Sequence, residues 1–153
     1  MIDEGKFDSV LRKIRYLNKL IDADFEKRLS EVGLTAQQGR IFLFIYWKNK
    51  EQDVEIHQND IENEFHLSKS TVSGLVKRLE KTNVIERIKQ HPYAILKPTS
   101  QGDEIINHLR ANRKKTIEQL FTGLNEEEKE QMMKLIEKMI VNMGGGSKLC
   151  GTK

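Results

Sequence analysis

The chain has 153 residues, 37% hydrophobic and 32% charged, with 26 Lys and Arg against 23 Asp and Glu and a formal net charge of +3. That length suits one domain extended by helices around a real core, and so small a net charge excludes a uniformly basic coat, so the distribution of charge matters more than its sum. A single cysteine, Cys150, excludes an intramolecular disulfide framework; with no apolar run near the ~20 residues of a membrane span and no signal-peptide core, a reducing, cytoplasmic location is expected.

Phe7, Val10, Leu11, Ile14, Leu17, Leu20, Ile21, Phe25 and Leu29 recur at helical spacing and predict a long first helix over residues 5–31. Gly33 is its stop, and Thr35 with Gln38 forms a capping box for a second helix over 36–48. The consecutive apolar run from Ile41 to Trp47 marks that helix as one contacted from several sides. Polar residues 49–55 read as a loop. A short helix follows, with Ile56, Ile61 and Phe65 as its apolar positions and His66-Leu67 as a tight connection to a further helix over 68–81. From Val84 to Thr99, branched apolar residues alternate with charges, break at His91-Pro92 and resume at Ala94-Ile95-Leu96, which predicts a small β-hairpin. Thr99 or Ser100 caps the next helix, with Ile105, Ile106, Leu109, Ile117, Leu120 and Phe121 on one face. Gly123-Leu124-Asn125 ends it, and Asn125 with Glu128 opens a final helix striped by Met132, Leu135, Ile136, Met139, Ile140 and Met143. The sequence contains no internal repeat. The Gly-rich tail, 144–153, is expected to be flexible.

The segment 68–81 carries the chemistry. Val72, Leu75, Val76 and Leu79 fall at i, i+3, i+4 and i+7 and gather one apolar stripe; between them lie Ser68, Lys69, Ser70, Thr71, Ser73, Lys77 and Arg78. Hydroxyls reach base edges and phosphates, and long cations neutralise phosphates. Alone, such a helix is more often an ordinary solvated face. Its neighbours turn it into a recognition helix: a short helix upstream completes a helix-turn-helix, and the hairpin downstream adds a wing. Lys69, Ser70, Thr71 and Ser73 are then expected nearest the bases of a duplex, with Lys77 and Arg78 on flanking phosphates. His57, Gln58 and Asn59 at the start of the preceding helix can donate to the backbone, while Asp60, Glu62 and Glu64 must point away from it. Lys69, Lys77, Arg78, Lys81, Arg87, Lys89 and Lys97 face only Glu80 and Glu86 between Ser68 and Lys97, a basic patch within a mixed surface.

The order of these elements resembles the MarR family of bacterial winged helix-turn-helix regulators, over residues 1 to about 143. The resemblance is carried by Leu34-Thr35, by Ser68-Lys69-Ser70-Thr71-Val72-Ser73 with Leu79 and Glu80, by Val84-Ile85-Glu86-Arg87, and by Pro98-Thr99-Ser100-Gln101-Gly102, where the family has a Leu-Thr-x-x-Gly helix start. It implies a homodimer bound to operator DNA, commonly as a repressor, released by a small molecule or by oxidation. Two departures matter. The family's wing carries Asp-x-Arg, whose arginine enters the minor groove; here IKQHPYAILKP is shorter and has neither residue, leaving Lys89, His91 and Lys97 as the candidates to stand in. The first helix lacks cysteine, so peroxide sensing does not carry over, and Cys150 reads as an idle thiol.

The expected fold is mainly α with a small β-hairpin wing: residues 1–34 and 99–143 as a helical dimerisation region, 35–98 as the winged helix-turn-helix, 144–153 as a tail. Its partners are double-stranded DNA, a second copy of the chain and a small-molecule effector, with no membrane. The effector site is expected in a cleft lined by Tyr16, Phe42, Tyr46, Trp47 and Phe121, although aromatics at such spacing are more often plain core. His57, His66, His91 and His108 are scattered without a cysteine partner, so neither a metal nor another cofactor is expected. No phosphate loop, HExxH or G-x-S-x-G supports an enzyme, and a hairpin with only Tyr93 as its aromatic is a poor platform for single-stranded RNA. The rival class is a winged-helix dimer that binds another protein and has lost strong DNA affinity along with the wing arginine.

Overall fold

The computed structural model describes residues 3–146, in the order α1 (Glu4–Glu31), α2 (Ala36–Gln52), α3 (Gln58–Phe65), α4 (Lys69–Lys81), β1 (Ile85–Ile88), β2 (Ile95–Pro98), α5 (Ser100–Leu120) and α6 (Glu126–Asn142). The fold is thus mostly helical with one antiparallel hairpin, as expected. Two compact units divide at residues 112 and 113, inside α5. The Ser147-Lys148-Leu149 and Cys150 region of the tail lies outside the described residues.

Local chemistry explains the boundaries of the first unit. Asp3 caps α1 by accepting from the Lys6 amide, and the helix ends where Gly33 takes a positive φ of 78°, which only glycine adopts cheaply. Thr35 and Gln38 form a reciprocal box, Gln38 N–H donating to Thr35 Oγ1 at 3.2 Å and Thr35 N–H to Gln38 Oε1 at 2.9 Å. The second helix runs on to Gln52, through residues expected to be loop. Lys, Glu and Gln are good helix formers despite their polarity; Lys48 Nζ donates to Gln52 Oε1 one turn on, and Asp53, in the left-handed region, terminates the helix. Ile56 also departs from expectation. It is not helical: it pairs as an isolated bridge with Leu96, whose amide donates to its carbonyl at 2.8 Å, extending the hairpin by one residue of a third segment.

The hairpin pairs Ile85 with Pro98 and Ile88 with Ile95. Its inner residues join the core with Leu29 of α1, Ile41, Phe42 and Ile45 of α2, Ile61 of α3, and Ile106 of α5, all fully or nearly fully buried. Two glycines are required by close approach. A Cβ on Gly39 would stand 2.4 Å from Leu29 Cδ1, and one on Gly102 would stand 2.4 Å from the Val84 carbonyl oxygen. The first lets α1 seat on α2; the second lets the start of α5 lie against the entry to the wing.

The remaining stretch, 113–146, holds the end of α5 and all of α6. Gly123 turns the chain at φ 84°, and Asn125 and Glu128 form a second reciprocal box at 2.9 Å in both directions. No residue of α6 is buried. Leu135, Ile136 and Met139 are exposed, as are Phe7, Leu11, Ile14, Leu17 and Leu20 along α1.

Alanine at the glycines tests this packing. Gly102→Ala should lower the unfolding free energy by about 1–3 kcal/mol through the forced backbone shift. Gly74→Ala, in α4 with nothing within 4 Å of the added carbon, should raise it by about 0.5–1 kcal/mol. Urea unfolding of the two variants checks the opposite signs.

Candidate nucleic-acid interface

The periodicity of α4 decides which way its polar residues point. Val72, Leu75, Val76 and Leu79 are all buried, so the intervening positions are turned out: Ser68, Lys69, Ser70, Thr71, Lys77 and Arg78 are exposed and Ser73 is half-buried. Ser68 is the N-cap, accepting from Thr71 N–H at 3.2 Å. Its hydroxyl also lies 2.8 Å from Thr71 Oγ1 and 3.1 Å from Ser70 Oγ. Three hydroxyls therefore cluster on the first turn, beside the positive end of the helix dipole, with Lys69 among them.

The preceding helix is tied to this turn. Its last residue is followed by His66 in the left-handed region at φ 51°, and Leu67 N–H donates back to Glu62 O at 3.1 Å. Gln58 Nε2 reaches the Lys69 carbonyl at 3.4 Å and Glu62 Oε1 at 3.5 Å, so Gln58 joins the two helices as well as facing outward. Asn59 is exposed beside it. Asp60 folds onto the start of its own helix, its carboxylate accepting from His57 N–H at 2.7 Å. His57 is tied to the wing as well. Its Nδ1 is 3.0 Å from the Ala94 carbonyl, and because a carbonyl only accepts, Nδ1 carries the hydrogen in that bond; the Nδ1 edge of the ring is held to the wing.

The wing is fastened at its base and at its tip. At the base, Arg87 of β1 grips Glu80 of α4 with two near-parallel bonds, Nε to Oε1 at 3.1 Å and Nη2 to Oε2 at 3.2 Å. Beside it, Thr99 Oγ1 donates to Asn83 O and accepts from Gly102 N–H at 3.1 Å, while Thr99 N–H donates to Val84 O at 3.1 Å. This clasp gives the Thr99-Ser100-Gln101-Gly102 sequence its physical meaning: the threonine caps α5 and holds the turn between α4 and β1. Lys89 and His91 are exposed in the loop between the strands, and Lys97 is half-buried.

Of the five aromatic residues expected around an effector, the structure brings three together. Phe42, Tyr46 and Trp47 meet edge to face along α2, at centroid separations of 6.1 and 5.7 Å. Phe42 is wholly buried and Tyr46 nearly so, while Trp47 is half-buried under the Arg110 guanidinium, 5.0 Å from its ring centroid. Tyr16 stands exposed on α1, and Phe121 belongs to the second unit. An open cleft between α2 and α3 is lined by other residues, among them Phe44, Lys48, Val54, Glu55, Asp60 and Glu64. Among the described residues no cluster of His, Cys, Asp or Glu could hold a metal, and no helix is long and apolar enough to cross a membrane.

Sequence reasoning missed the links made in three dimensions: His57 to Ala94, Arg87 to Glu80, and Thr99 to Asn83. Only the last had a signal, in the helix-start motif.

Residues 32–92 match the family model described as MarR family. No curated protein matches the chain. Among solved structures, a transcriptional regulator from Thermotoga maritima superposes with a TM-score of 0.67 at 26% identity, covering 92% of this chain and 96% of that one. MepR, a transcription regulator of the Staphylococcus aureus multidrug efflux pump MepA, superposes at 0.74 with 24% identity, covering 85% and 95%. A complex of S. aureus MepR with DNA superposes at 0.68 with 23% identity, covering 84% and 96%. With the family match falling on α2 to the wing, and the same fold shared over most of both chains, the winged helix-turn-helix segment of this chain is similar to that of the MarR family.

Proposed function

We propose that the chain is a homodimeric, sequence-specific DNA-binding regulator of transcription, acting as a repressor, which reads a pseudo-palindromic operator with α4 in the major groove and is released by a small-molecule effector. The observation that carries this reading is the two-faced geometry of α4. Its whole apolar stripe is buried while its hydroxyls and cations face out, between a helix and a wing that are both fastened to it. Lys69, Ser70, Thr71 and Ser73 contact bases; Lys77, Arg78, Gln58, Asn59, Lys89 and His91 contact phosphates. The DNA complex of MepR, a protein of the same fold, supports the assignment.

The exposed apolar stripes of α1 and α6 support a dimer. An exposed apolar stripe along a helix, of which each of the two carries one, marks an interface, and a two-fold pair places recognition helices about 34 Å apart, one DNA turn. An effector acting on the aromatic face of α2, at Tyr46 and Trp47 with Phe42 behind them, works only if it binds one spacing of the two helices more tightly than the other.

Three measurements test the reading. Affinity for duplex DNA should fall steeply as salt rises, and Lys77→Ala should weaken all sequences alike and flatten the log–log slope by about one; a flat response to salt favours the protein-interaction alternative. Ser68→Asp preserves an N-cap acceptor and places a negative charge where the dipole welcomes it, so unfolding free energy should stay within about 0.5 kcal/mol. The same carboxylate opposes phosphate, so DNA affinity should fall by at least about tenfold; wild-type affinity in this variant contradicts the placement of α4. Sedimentation should give a dimer, and charged substitutions at Leu17 and Leu20 should shift it towards monomer.

A further inference from the structure

The wing tip carries an exposed aromatic side chain with an anchored base. Tyr93 is 68% exposed, more so than Tyr16 or Tyr46, yet it does not stand free. Its ring meets the His57 ring edge to face at 6.3 Å, and the next residue's carbonyl is held by His57 Nδ1 at 3.0 Å. His57 is in turn held by Asp60 at the start of α3. One histidine therefore grips the tip twice, by ring contact and by hydrogen bond. The tip is also free of negative charge: Lys89, Gln90, His91, Pro92, Tyr93 and Ala94 contain no acid, and the next charged residue is Lys97.

We infer that Tyr93, positioned by His57, is a further contact of the wing to the DNA sugar-phosphate backbone, its phenolic hydroxyl donating to a phosphate oxygen. The inference rests on the DNA-binding reading above and names a residue that reading leaves out. Tyrosine is suited to the task because it donates to phosphate oxygens while its ring covers the sugar, and it loses little conformational entropy on binding. Pre-anchoring lowers that cost further. The location fits as well: His57 directly precedes Gln58 and Asn59, so the tyrosine hydroxyl and the start of α3 address neighbouring phosphates. Lys89 and His91 supply charge to the loop, and Tyr93 supplies a fixed direction.

The experiment is a titration of a duplex selected by the unaltered 153-residue chain, followed by fluorescence anisotropy at several salt concentrations. Tyr93→Phe keeps the ring against His57, so its thermal midpoint should match the unaltered protein while affinity drops by about tenfold, the loss of one hydrogen bond to a charged acceptor. Because the lost group is neutral, the salt slope should not change, whereas Lys89→Ala should flatten it. His57→Ala should weaken binding, and adding Tyr93→Phe to it should cost much less than in the unaltered background. His57→Asn, whose carboxamide can donate to the Ala94 carbonyl, should recover most of the loss. Unaltered affinity in Tyr93→Phe overturns the inference while leaving the DNA reading standing, and strict additivity with His57→Ala overturns the positioning role. Failure of the unaltered chain to bind any duplex overturns the DNA reading itself and the inference with it.

Discussion

The burial of Val72, Leu75, Val76 and Leu79 is the constraint on which the rest of the site depends. These four side chains fix the rotation of α4 about its axis. Each successive helical residue turns about 100°, so a slip of one residue would bury Ser73 or Lys77 and expose valine. Fully burying an aliphatic side chain is worth about 1.5–3 kcal/mol, and burying an unpaired ammonium is prohibitive. The outward direction of Lys69, Ser70, Thr71, Lys77 and Arg78 is thus a consequence of the core and does not require any interaction among themselves. Function is specified from inside the molecule.

Rotation alone does not define a binding surface; the neighbouring elements must be held in place too. Apolar contacts supply the adhesion, and a few directional polar links supply the register. Gln58 spans to Lys69, Arg87 closes on Glu80, Thr99 bridges the α4–β1 turn to the start of α5, and His57 holds the wing tip. Each link joins residues from different elements. Such bonds contribute modest net stability, but they are directional, so their main effect is to restrict how the wing and α3 sit relative to α4. Gly102 allows the closest of these approaches, with no room for a Cβ beside Val84 O.

Much of this was legible in the sequence, for identifiable reasons. A stripe at helical spacing with a serine cap located α4, and two Asx or Thr boxes located the starts of α2 and α6, because capping chemistry is local. The hairpin was readable from alternation and a proline break. The extension of α2 through Gln52 was not, since a polar helical turn has no apolar period to reveal it. Ile56 was misplaced because a lone isoleucine beside a helix looks like part of it, while its real partner, Leu96, lies forty residues on. The link from His57 to the wing was hidden for the same reason: nothing nearby in sequence names Ala94 as its acceptor. The aromatic set is the instructive case. Spacing put Phe42, Tyr46 and Trp47 on one helix and the structure joins them, but spacing cannot separate a residue that lines a pocket from one that fills a core, and Phe42 is wholly buried.

The central claim is that α4, held in one orientation by its buried stripe and doubled by two-fold symmetry, discriminates among DNA sequences. Selection of bound fragments from a pool of random duplexes by the 153-residue chain tests it most directly. The account predicts enrichment of an inverted repeat whose half-sites are centred about 10–10.5 base pairs apart, or a multiple of that spacing. Recovery of fragments with no shared sequence, or with a single unrepeated element, would contradict it.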